Sequence, residues 1–138
     1  MTFVVPLIFL AIGSALDLRR REIPDWVPLS ILAWTVLTTV AGISSHGWLT
    51  LATGFVTGCA VGATLFTLAR FGGGDAKILA ALGALLGTKG LLFLLYYAAL
   101  AGGCLAIVAL LHQRRDLAYG PAIALGYAAL LIVSRGAL

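Results

Sequence analysis

"FGGGDAKILAALGALLG", residues 71–87, places three glycines and an aspartate directly before an apolar run. The chain around it is 62% hydrophobic and only 10% charged, with a mean hydropathy of +1.09. A soluble domain of 138 residues has too little interior to hide so much apolar surface. The solvent for most of this chain is therefore lipid. In lipid every backbone polar group must be satisfied internally, so spanning segments are helices or closed barrels. The run after Asp75 is continuous and lacks the alternation of a barrel strand. The expectation is an all-α integral membrane protein, with residues 1–138 forming a single domain in the lipid bilayer.

Outward from this stretch, charge clusters and Gly/Pro breaks leave six apolar segments: 2–17, 26–42, 48–69, 75–88, 90–111 and 119–134. A spanning helix takes about 20 apolar residues. The third and fifth segments fit well, and the first, second and sixth are at the short end. The fourth would reach only roughly 21 Å of a ~30 Å hydrocarbon core. The reading is a bundle of about six transmembrane helices, one of them short. "MTFVVPLIFLAIGSAL" has no basic residue before its apolar part and three arginines after it. It reads as a retained first helix rather than a signal peptide.

Lysine and arginine set the orientation. Arg19, Arg20, Arg21, Arg70, Lys77, Arg114 and Arg115 fall at alternate junctions of a six-helix chain, and only Lys89 and Arg135 fall opposite. The positive-inside rule puts the richer side in the cytoplasm and both termini outside. The outer connections, "ISSHG" and "TKG", are then very short. The net charge of +4 reflects topology, and nucleic acid is not an expected partner. Cys59 and Cys104 lie far apart in apolar runs with no CxxC pair, so they read as small buried core residues rather than zinc ligands. His46 and His112 stand alone. No metal and no cofactor are expected. Gly54, Gly58 and Gly62 recur every fourth residue, as do Gly83 and Gly87, a spacing that lets helices pack closely within the bundle.

The acidic residues are Asp17, Glu22, Asp25, Asp75 and Asp116. Glu22, Asp25 and Asp116 lie in loops near arginines, where solvated charge pairing accounts for them. Asp17 and Asp75 instead stand where an apolar helix meets the cytoplasmic interface. An ionisable group at membrane depth costs at least a few kcal/mol and marks function by default. If these two carboxylates meet, they cannot both ionise easily and hold a shared proton. One then activates water while the other polarises a carbonyl. Gly72, Gly73 and Gly74 either let an extended substrate strand approach Asp75 or simply turn the chain between two helices. A recessed glycine loop would account for the short fourth segment.

"GGGDAKILAALGALLG", residues 72–87, closely resembles the GxGD segment of type IV prepilin peptidases, which are membrane aspartic proteases. "DLRRREIPDW", residues 17–26, resembles the family's other aspartate segment, and "YGPAIALG", residues 119–126, resembles its closing segment. The three come in family order. The resemblance implies that Asp17 and Asp75 are the catalytic pair. It implies an active-site and substrate-binding lining of Gly72, Gly73, Gly74 and Lys77, joined by Pro24, Tyr119, Gly120 and Pro121. It further implies prepilin and pseudopilin substrates, with a basic leader, a Gly at the cut and an apolar helix beyond. The cut would lie at the cytoplasmic face of the inner membrane. Lys77 sits in the first turn of its helix, where the dipole disfavours a cation. It reads as an anchor snorkelling to the interface, with contact to an acidic pilin residue as the sharper alternative.

Larger family members carry an insertion between the first two helices, often with two CxxC pairs, associated with N-methylating the cleaved pilin. Here the loop 18–25 is short and has no cysteine. The chain is similar to the short, peptidase-only form of tight-adherence pilus systems. Two other classes share part of the pattern. A proton-coupled carrier would place its carboxylates nearer the midplane on broken helices. A structural subunit of a secretion complex would need the glycine packing and neither aspartate.

Overall fold

The computed structural model describes residues 3–20, 24–44, 47–69, 72–111 and 120–136. These form five helices: α1 (Val4–Arg20), α2 (Trp26–Val40), α3 (Trp48–Ala69), α4 (Gly73–Leu111) and α5 (Gly120–Gly136). No strand occurs among the described residues. Helix α4 is interrupted at Gly87, whose φ of 71° and ψ of 175° are not helical. Only glycine takes up that combination readily. The pieces 73–86 and 88–111 are therefore distinct, and their joint is one residue. Residues 88–90, read from sequence as an outer loop, are helical.

Two further boundaries differ from expectation at the aspartates. Helix α1 runs beyond Asp17 to Arg20, so Asp17 lies within its last turn. Gly73 and Gly74 are helical, and the Ala76 N–H donates to the Gly72 carbonyl at 3.2 Å to close the first turn of α4. Of the three glycines only Gly72 precedes the helix.

Trp48–Leu68 and Gly73–Val108 are long and apolar enough to cross a membrane. The outer surface agrees with a lipid environment: Leu49, Leu68 and Leu111 are 79%, 81% and 77% exposed. Hydroxyls on the helices satisfy themselves. Thr35, Thr39, Thr57 and Thr64 each donate to the carbonyl one turn back, at 2.7–2.8 Å. A hydroxyl bonded in this way needs no water. The all-helical, apolar-surfaced chain is compatible with an integral membrane protein.

The core forms around the first piece of α4, where Ile78, Leu79, Ala81, Leu82, Ala84 and Leu85 are all buried. Helix α3 packs along one side and α2 along another, while α5 covers part of α4 as well. Being enclosed by protein explains how so short and apolar a segment sits at the centre. The glycines make the α3–α4 contact close. A Cβ on Gly58 would come within 2.5 Å of the Leu79 carbonyl oxygen, and one on Gly62 within 2.8 Å of that of Ala76. Thr57 and Thr88 join the same interface through their hydroxyls, 3.3 Å apart. Tyr127 donates its hydroxyl to the Phe3 carbonyl at 3.0 Å and so ties α5 to the start of α1. Cys59 and Cys104 are exposed rather than buried. Gly54, Gly58 and Gly62 take the inward face of α3, which turns Cys59 outward.

Candidate active site

Asp75 stands in the first turn of α4 and is 5% exposed. A helix N-terminus favours a carboxylate, which helps this one tolerate burial. Gly72 lies against it: a Cβ there would come to 3.2 Å from Asp75 Oδ2. Oδ1 is buried and has no hydrogen-bond partner among the described residues. A buried carboxylate oxygen left in that state costs free energy and calls for an explanation beyond packing.

Asp17 is also buried, at 8% exposure. It lies in the last turn of α1, where the dipole opposes an anion, so helix stability does not explain it. Helix α1 packs chiefly on α5 and α2. Even so, Asp17 lies close enough for its charge to act on Asp75. Two carboxylates from opposite kinds of helix end thus share one shielded region.

Lys77 follows Asp75 by two positions, which places the two on different faces of the turn. Its Nζ donates to Asp25 Oδ1 at 2.6 Å, across to the opening of α2. Asp25 is the N-cap residue of α2 but makes no side-chain capping bond, so its carboxylate is available for Lys77. The sequence reads Asp25 as a loop charge paired with nearby arginines, and Lys77 as an interface anchor or a contact for an acidic pilin residue; neither reading pairs the two. The misplaced cation at a helix N-terminus was the available signal, because a cation there calls for a partner. Beside the pair lies a mostly apolar cleft of about 320 Å³, lined by Asp25, Leu29, Phe55, Cys59, Lys77 and Ala81 among others.

Pro24 is half-buried just before α2 and accepts a hydrogen bond from the Val27 N–H at 3.1 Å. Gly73 is exposed and Gly74 half-buried, both in the first turn of α4. Gly120 and Pro121 open α5, where a proline is tolerated because its missing N–H would have no helical partner. Tyr119 lies outside the described residues.

Over 122 residues the chain is 37% identical to the prepilin leader peptidase/N-methyltransferase of Neisseria gonorrhoeae. That match covers 88% of this chain and 36% of the relative, so the chain spans about a third of the relative's length. No solved structure matches it. Residues 4–107 match the model of the type IV leader peptidase family, a span that holds Asp17, Asp25, Asp75 and Lys77 but stops before 119–126. With most of its length and both buried aspartates inside that match, the chain belongs to the type IV leader peptidase family.

Proposed function

We propose that this chain is a membrane aspartic endopeptidase that removes the leader peptide from prepilins or pseudopilins. The observation that carries the reading is the buried pair: Asp17 and Asp75 are both shielded, and the charge of one acts on the other. Family membership supplies the substrate class. In this reading one carboxylate deprotonates water as it attacks the scissile carbonyl. The other, protonated, donates a hydrogen bond to the carbonyl oxygen and then a proton toward the leaving amine. Gly72 leaves room for the Asp75 carboxylate to take its working position.

The same reading has six spans, with Gly87 separating the fourth from the fifth. Both termini lie outside the cytoplasm and the aspartates face it, at the inner membrane. The seven-to-two division of basic residues supports that orientation. The gonococcal relative is also named for N-methyl transfer, and that activity is not carried over, because the loop 18–25 holds no cysteine.

Co-expression with candidate prepilins, scored by leader removal, tests the reading. Asp75→Asn should abolish removal while the protein still inserts. A carrier would instead lose proton-linked flux, and a structural subunit would lose little.

A further inference from the structure

We infer that Asp25 and Lys77 are a positioning pair that holds the first turn of α4, and with it Asp75, in register for the reaction; this rests on the peptidase reading above. The geometry is specific. Lys77 Nζ and Asp25 Oδ1 are 2.6 Å apart, between residues 52 positions apart in sequence. Asp25 lies eight positions beyond Asp17, and Lys77 lies two beyond Asp75. The pair therefore ties the opening of α2 to the first turn of α4, the turn that carries Asp75.

The need for such a clasp follows from the local sequence. Asp75 is approached through Gly72, Gly73 and Gly74. Glycine is among the poorest helix formers, so this first turn has little intrinsic tendency to persist. The first-turn amides also lack intrahelical acceptors. A cation at Lys77 worsens matters by its position on the dipole, unless a carboxylate compensates it. Asp25 does so, using the oxygen that a capping residue would ordinarily turn to its own helix.

Magnitude decides what kind of effect to expect. Both side chains are more than half exposed, at 57% and 68%. An exposed ion pair contributes little to global stability. Its effect is local: it restricts how far the first turn opens or shifts. A displacement of about 1 Å at a reacting carboxylate can lower turnover on the order of 100-fold, so a small bias suffices. The pair faces away from Asp75 around the helix, so Lys77 acts through the backbone of the turn and not on the scissile bond.

The test uses the full chain in detergent or liposomes with a purified prepilin. Asp25→Asn and Lys77→Gln should each lower kcat on the order of 10-fold with KM within about twofold, as expected for lost positioning. Amide exchange at residues 75–78 should quicken in both, while exchange in α3 should not. The charge swap, Asp25→Lys with Lys77→Asp, should restore most of both quantities. Lys77→Arg, which keeps a cation for Asp25, should stay near the parent rate and serves if the swap fails to insert. A raised KM with kcat unchanged would overturn the inference in favour of direct substrate contact. Unchanged kcat and exchange in the single variants would overturn it outright. If the parent chain cleaves no prepilin, the peptidase reading falls, and the exchange measurements alone judge the clasp.

Discussion

Gly72 faces the Asp75 carboxylate at the entrance to α4: a methyl group on Gly72 would come to 3.2 Å from it. A methyl on the next residue, Gly73, would meet only the ring of Phe66, at an ordinary 3.9 Å. The two glycines therefore differ sharply in what they permit. Gly72→Ala pushes the carboxylate by a few tenths of an ångström and should lower cleavage on the order of 10-fold, given how steeply turnover falls with misplacement. Gly73→Ala makes only an ordinary contact and favours the helix, so its rate should stay within about twofold of the parent. Leader removal at matched membrane levels compares them.

The second prediction concerns the close approach of α3 to α4. Gly58→Ala sets a carbon against the Leu79 carbonyl, which is backbone and cannot rotate away. The helices must separate, at a cost of about 1–3 kcal/mol for an overpacked contact. Gly103→Ala is the matched control, since nothing lies within 4 Å of a Cβ there. Thermal unfolding in detergent should show a lower midpoint for the first and no loss for the second.

Gly87 gives a third prediction of different origin. Its φ of 71° is closed to ordinary side chains, and a Cβ would also press on Thr50 Cγ2 at 2.6 Å. Gly87→Ala then carries backbone strain of about 1–3 kcal/mol besides the clash. The variant should accumulate less in membranes and unfold earlier. Normal accumulation and an unchanged midpoint would mean that the break in α4 is not required.

Asp17 and Asp75 were legible in the sequence because charge is scarce and both interrupt apolar runs. The helices were legible for the same reason, and the joint near residue 88 showed as Lys89 and Gly90 between two apolar runs; the length deficit of the fourth segment pointed instead to a glycine loop before Asp75, where the structure has helix from Gly73. Other features were hidden by what local pattern cannot carry. Gly73 and Gly74 are poor helix formers and read as loop, yet both are helical, in a turn closed by the Ala76 N–H on the Gly72 carbonyl. Cys59 looked like core by its apolar context, but its orientation is set by which face the glycines of α3 present to α4. The Asp25–Lys77 pair joins distant segments, and no spacing rule announces such a partner.

Orientation supplies a fourth prediction. The described residues show helices but no membrane side, so the basic residues carry the argument. A periplasmic-active reporter joined after Leu138 should be active, and one inserted near Arg20 should be inactive. A cytoplasmic reporter should give the reverse. The same side for both sites would break the six-span arrangement, since an even number of spans separates the termini but an odd number separates these two positions.

The last prediction is the aspartate pair itself. Asp17 and Asp75 come from helices that do not pack extensively on each other, and both are shielded from solvent. If they act as one unit, either change to Asn should abolish leader cleavage, and the double change should cost little more, because members of a unit are strongly non-additive. Glu at either position should rescue poorly, since one added methylene displaces the carboxyl by about 1 Å, enough to lower the rate on the order of 100-fold. The Asn variants should still insert, because Asn is no harder to place in the bilayer than Asp. Changes at Glu22 or Asp116, read as solvated loop charges, should leave most activity. One prepilin, cleaved by this set at matched membrane levels, decides the matter. Additive losses would mean two independent roles and no shared proton. Substantial cleavage by Asp75→Asn would remove the aspartic mechanism altogether, while leaving membership of the family untouched.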